Sequence, residues 1–305
     1  MASAERFALF PCSLTHAGGD LDLAQMQNFS ITPGSTVDRI FAAGAVDPKA
    51  HILAYADPQI TFGTQDLVTY FAAVSATAGL KTTVGTFRLQ ERSDYDGVWE
   101  SSTTHVTWTT AAGHLIPTRL SCSQDSNTGC VLESRLVVLY DGSTVPLVHN
   151  TGVDFSTAPT PAFTSEFFLG PVYINSSEIK GITNVDIDFG INVSAVRTSG
   201  SVWAKSSAII QRAPMITFTT LKADVTASVN MFLRALAGTT AIYLWKGSDA
   251  GSRVAVGTTS HFKLSFSAGV WKDDTVSVSD NNDGTVSVSL MNTGTISVAT
   301  NSAIP

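Results

Sequence analysis

Apolar and polar residues alternate along much of this chain, the period of a strand with one buried face. Val185, Ile187 and Phe189 alternate with Asp186 and Asp188, and Phe262, Leu264 and Phe266 repeat the pattern. Phe7 with Leu9 and Val106 with Trp108 are shorter examples. In two places the period lengthens to that of a helix. Leu67, Phe71, Val74 and Ala78 fall on one stripe, with Thr64 as cap, Asp66 in the first turn and Gly79 as stop. Val225, Val229, Phe232 and Leu236 form a second stripe between Thr220 and Gly238. The clearest hairpin has Val276 and Val278 leading into Asp280–Gly284, with Val286, Val288 and Leu290 leading out.

These elements occur in pairs. Pro58, Ile60, Thr61, Phe62 and Thr64 match Pro214, Ile216, Thr217, Phe218 and Thr220, each 156 residues later. The same offset pairs Asn28 with Asn184, Gly34 with Gly190, Val37 with Val193, His105 with His261 and Ser123 with Ser279. Phe7–Pro11 matches Phe167–Pro171 at an offset of 160, which places four extra residues near His16–Gly19. A repeat of two large units implies two domains of one fold.

The expected architecture is mainly β: two tandem similar β-barrel or β-sandwich domains, each with one flanking α-helix. The first spans 1–155, a linker 156–164, and the second 165–305. The linker is drawn from Thr151–Thr164, where Pro159 and Pro161 fall. The expected structural core is Pro58, Ile60, Phe62, Leu67, Phe71 and Val74 in one copy. In the other it is Pro214, Ile216, Phe218, Val225, Val229 and Phe232. Val37–Asp57 and Val193–Ala213 read as long irregular arms that meet neighbouring subunits.

Composition adds three constraints. The 305 residues suit two domains. Only 14% are charged, against a usual figure of about 25%, which leaves more surface for neighbours to cover. The net charge of −7 argues against binding nucleic acid by charge neutralisation. No apolar run of about 20 residues suggests a membrane-spanning helix. Met1–Arg6 lacks a signal-peptide pattern, so synthesis in a cytoplasm is expected.

Candidate chemistry is sparse. No nucleophile elbow, HExxH helix or phosphate-binding glycine loop occurs. Asp280–Gly284 lacks the glycine and glutamate that a calcium loop needs, since Thr285 and Met291 stand there. Asp186 and Asp188 share a strand face, yet the first copy has Ser30 and Thr32 there. His105 and His261 recur without a repeated acidic or thiol neighbour, as structural histidines would. Cys122 and Cys130 lack zinc or CxxC spacing. The offset of 156 places them opposite Val278 and Val286, so they read as small apolar core residues, as does Cys12. No catalytic group, metal site or cofactor is expected.

Each half runs from early strands through a long loop to a Pro-x-Ile-Thr-Phe-x-Thr strand, one helix and a closing hairpin. This order resembles the tail tube proteins of long-tailed bacteriophages, as does the stretch Ile179–Gly190. The resemblance implies a tail-tube-like β-barrel or sandwich whose rings stack into a DNA conduit. A duplicated chain would build a pseudo-hexameric ring from three copies. The implied partners are further copies of the chain in stacked rings, the tape measure, terminator and distal tail proteins, and viral DNA only in passage, with no membrane. The implied setting is the virion tail, assembled in the host cytoplasm and serving DNA ejection. Two alternatives stay open: a double-barrel capsid or other virion shell protein, and a tail-associated carbohydrate-binding module using Tyr95, Trp99 and Glu100.

Overall fold

The structure is a computed structural model. It describes residues 6–43, 46–92, 105–124, 129–155, 166–198, 200–221, 236–248, 252–279 and 282–305. The fold is mainly β, as the alternating pattern requires.

The first half contains β1 (Arg6–His16), β2 (Gly19–Leu23), β3 (Met26–Thr32), β4 (Ser35–Phe41), β5 (Pro48–Ala56), β6 (Gln59–Thr64), α1 (Leu67–Ala73), β7 (Leu80–Thr82), β8 (Val84–Arg92), β9 (His105–Thr110), β10 (Ala112–Ser123), β11 (Val131–Leu139) and β12 (Leu147–Val153). The second contains β13 (Phe167–Ile174), β14 (Ser177–Ile179), β15 (Ile182–Asp188), β16 (Ile191–Val196), β17 (Ser206–Arg212), β18 (Met215–Thr220), β19 (Leu236–Ala237), β20 (Thr240–Lys246), β21 (His261–Phe266), β22 (Gly269–Ser279), β23 (Asn282–Asn292) and β24 (Ile296–Ser302).

The strand order is the same in both halves. One sheet runs β12-β9-β8-β1-β2, and its counterpart runs β24-β21-β20-β13-β14. A second sheet runs β10-β11-β6-β3, with β7 also on β10, and its counterpart runs β22-β23-β18-β15, with β19 on β22. β4–β5 and β16–β17 stand apart as hairpins.

Tertiary hydrogen bonds repeat as well. Thr64 Oγ1 donates to the Gln25 carbonyl and Thr220 Oγ1 to that of Gly181, both at 2.9 Å. The Val138 N–H donates to Pro58 O at 3.0 Å and the Asn292 N–H to Pro214 O at 2.9 Å. His105 Nδ1 accepts from the Glu91 N–H, and His261 Nδ1 from the Lys246 N–H, both at 3.2 Å.

Offsets other than 156 have local causes. β1 and β13 bulge at the same place, around Pro11 and Pro171. The β1–β2 hairpin closes at His16↔Gly19, whereas β13–β14 closes at Ile174↔Ser177, so the first copy's arms are longer. Leu120 faces Leu132 in one hairpin and Val276 faces Val286 in the other. Past that turn the second copy is two residues shorter. Leu132 therefore matches Val286, and Cys130 matches Gly284 rather than Val286. A two-residue deletion preserves strand facing, so the apolar alternation conceals it.

One apolar cluster runs through both halves. Within the first half, Phe62 of β6 meets Phe87 of β8 at 5.6 Å between ring centroids, joining the two sheets. Ile60, Phe62, Leu67, Val74, Ile216 and Phe218 are buried, Pro58 also is, and Pro214 and Phe71 are half-buried.

The helix is shorter than the periodicity suggests. It ends at Ala73, and Val74 is already extended, so Ala78 lies beyond it. Asp66 takes the N-cap position, and its carboxylate accepts from the Ala24 and Gln25 N–H groups at 2.6 and 2.8 Å. Thr64 instead holds the preceding strand, and its hydroxyl accepts from the Asp66 N–H at 3.1 Å. Tyr70, which the stripe omits, is fully buried.

The predicted second helix lies outside the described residues, Val225, Val229 and Phe232 with it. Leu236, its last predicted member, is in β19, paired with Val270. The predicted linker 156–164 also lies outside them. Thr151–Val153, however, belong to β12, and Phe155 packs against Phe10 and His105 at 5.1 and 4.4 Å.

Candidate assembly interface

The surface with the clearest functional content is a seam between the halves. β10 and β15 are the outer strands of the two second sheets, and they pair antiparallel from Arg119↔Asp188 to Ser123↔Asn184. The pairing merges the sheets into one ten-stranded sheet. The cause is local: an edge strand exposes unpaired N–H and C=O groups, and these two edges satisfy each other. Val185 and Ile187, at the seam, are fully buried. Burying each contributes roughly 2 kcal/mol.

The polar face of the seam is clasped by Asp186. Its Oδ1 accepts from Arg119 Nη2 at 2.8 Å, Arg119 Nε at 3.1 Å and Ser121 Oγ at 2.7 Å, while Oδ2 accepts from Asn184 Nδ2 at 2.9 Å. Asp188 is committed elsewhere, its Oδ1 accepting from the Gly190 N–H at 2.8 Å. The two carboxylates therefore have separate structural tasks. Among the described residues no cluster of three metal-ligating side chains occurs.

A second contact reinforces the seam. The segment Val193–Ala213, expected to be irregular, is the β16–β17 hairpin, and its end lies against the first half. The Ala56 N–H donates to Val202 O at 3.0 Å and the Tyr140 N–H to Ala204 O at 2.8 Å. His114 Nδ1 and Ser207 Oγ are 2.9 Å apart. Arg197 pairs with Asp57, and its guanidinium lies 4.3 Å from the Tyr55 ring centroid. Val137, Leu139 and Ala204 bury together there, with Val193 packed against them.

The corresponding first-half segment, Val37–Asp57, forms the β4–β5 hairpin and differs sharply in exposure. Phe41 is 52% exposed, Val37 51%, Ile52 51% and Val46 92%. This hairpin thus gathers exposed apolar side chains on one arm.

The remaining candidates are the recurring histidines and the cysteines. His261 Nδ1 accepts a backbone N–H, so its proton sits on Nε2, which lies 3.2 Å from the Ala255 carbonyl. Cys12, Cys122 and Cys130 are buried free thiols. Burial pushes Cys12 from 9.0 up to about 12 and raises Cys122 well above its usual value, with Cys130 adding to the rise. Such thiols are poor nucleophiles and poor metal ligands. Tyr95, Trp99 and Glu100 lie outside the described residues.

The two segments expected as irregular arms toward neighbouring subunits are hairpins. Val193–Ala213 packs on the first half of its own chain, and the seam was not expected. One signal was available: Asp186 is an acidic residue on a strand whose counterpart has Ser30. No protein-family model matches the chain, and no curated protein matches it either. Among the described residues, no helix is long and apolar enough to cross a membrane.

Proposed function

We propose that this chain is a structural virion protein, the tail tube subunit of a long-tailed bacteriophage in a duplicated two-domain form. Three chains close into a ring of six similar units, and rings stack into a tube that conducts DNA. The observation that carries this reading is the β10–β15 seam. It makes two similar units share one continuous sheet, the construction a tube wall needs if it is to leave no open strand edges.

Charge supports the same reading. A bore that neutralised six to ten phosphates would hold DNA strongly at ordinary salt. A chain with net charge −7 suits passage instead. The role is passive, without catalysis or cofactor. The other partners are the tape measure, terminator and distal tail proteins, and the setting is the virion tail, assembled in the host cytoplasm.

A double-barrel shell protein would share the length and the β content. It would keep a separate eight-stranded jelly roll in each half, with no helix between strands of the main sheet. Here α1 lies between β6 and β7. Electron microscopy of the purified chain tests the proposal. Rings and stacked tubes support it, whereas closed icosahedral shells or a stable glycan-binding monomer overturn it.

A further inference from the structure

We infer that the interface inside one chain is reproduced between chains, with β3 and the β4–β5 hairpin of one copy docking on β22–β23 of the next. The inference rests on the proposal that the chain self-assembles, and it names the surface and register by which it does so.

The chain carries one used seam and both sides of an unused one. β10 and β15 occupy the seam, and their counterparts are β22 and β3. Among the described residues the backbone ladder of β3 runs only to β6, and that of Thr275–Ser279 in β22 runs only to β23. The burial contrast agrees: Val185 and Ile187 are fully buried, but their counterparts Phe29 and Ile31 are only half-buried. The same contrast holds for the arms. Val193 packs against Val137, Leu139 and Ala204, while its counterpart Val37 is 51% exposed. The counterpart of Val137 is Met291, also exposed, at 44%. Val37 on one side of the missing contact and Met291 on the other are thus apolar and exposed.

The partner is a second copy of this chain, because only that copy presents the matching edge in the matching geometry. The contact joins different surfaces of identical chains, so its repetition closes a ring or extends a filament. The register follows from Leu120↔Ile187 and Cys122↔Val185. Shifting each strand by its offset sets Val276 opposite Ile31 and Val278 opposite Phe29. Val37 then comes against Met291.

Paired cysteines test this. The Val37→Cys/Met291→Cys protein, assembled and treated with a short thiol cross-linker, is expected to give a ladder of linked chains. Each single variant gives only monomer, and the native thiols, being buried, add little. A Val84→Cys/Met291→Cys control uses a residue 41% exposed on the other sheet and is expected to stay unlinked. Val37→Asp should keep the melting transition of the native chain and weaken assembly at least tenfold. Tubes that form without the Val37–Met291 link, or that link equally through Val84, overturn the inference and leave the tube proposal standing. Links within closed shells do the reverse.

Discussion

The ring of Phe71 packs 5.7 Å from that of Phe262, and it lies 5.9 Å from that of Phe189. Helix α1 therefore inserts an aromatic into the core of the second half. With the seam and the β16–β17 arm, this ties the two halves together by three separate contacts. Phe71→Ala should destabilise the chain by about 3 kcal/mol, the low end for a buried phenylalanine because the ring is half-buried. Chemical denaturation should show a single transition before and after the change. Two separate transitions, or a loss under about 1 kcal/mol, would show that the helix does not bind the halves together.

Gly34 and Gly190 hold the roots of the two hairpins, each at φ +59°. A Cβ on Gly34 would collide with the Asp57 carbonyl, and one on Gly190 with that of Ala213. The Asp57 and Ala213 N–H groups donate back to Gly34 O and Gly190 O at 3.1 and 3.0 Å, which fixes the approach. Gly34→Ala and Gly190→Ala should each cost about 2–4 kcal/mol, from the left-handed backbone and the backbone collision together. Thermal melts of the two variants measure this, and a neutral effect in either would contradict the turn geometry.

The offset of 156 made much of this fold legible, because it brings Pro58, Ile60 and Phe62 into line with Pro214, Ile216 and Phe218. Strand periodicity was legible for the same reason: one face of each strand is buried. Three things were not. The two-residue deletion in the turn ahead of Gly284 keeps every residue on its proper face, so the alternation hides it. The length of α1 is set by the extended backbone at Val74, where the chain turns toward β7, and the apolar stripe continues past that point. The seam joins edges from different halves, and edge pairing depends on backbone groups that all residues share. Only Asp186 gave it a side-chain mark.

Thr64 and Thr220 test the equivalence of the halves energetically. Both are completely buried, and each hydroxyl donates to a carbonyl at the start of the preceding segment. Valine keeps the branched shape and removes that bond, and in Thr64 it also removes the one accepted from the Asp66 N–H. Thr64→Val and Thr220→Val should each cost about 1–2 kcal/mol, the range for losing a buried hydrogen bond with partial desolvation of its partners. A large loss for one and none for the other would mean that the repeated geometry does not carry repeated energetics.

Buried thiols and a buried phenol set the alkaline stability of the chain. Burial pushes the Cys12 thiol from 9.0 up to about 12, and it pushes the Cys122 thiol and the Tyr70 phenol up as well, the Ser134 hydroxyl opposing the rise in Tyr70. These groups are neutral when protonated and charged when not. A folded value above the unfolded one means that the native state holds the proton more tightly. The resulting stabilisation is fully present below the unfolded value of 9.0 for Cys12 and is lost as the pH climbs through about 12. Denaturation midpoints should therefore be flat with respect to this group near neutrality and fall above about pH 9. One such group contributes a slope of about 1.4 kcal/mol per pH unit. Cys12→Val should reduce that slope, because valine has no proton to lose. Cys122→Val should do the same at nearly unchanged neutral stability, since its counterpart in β22 is Val278. Alkylation should report the same chemistry, with the thiols unreactive in the native chain at about pH 8 and modified once denaturant is added. Rapid native labelling of Cys12, or an alkaline slope untouched by both valine substitutions, would show that these thiols are not held as the structure places them.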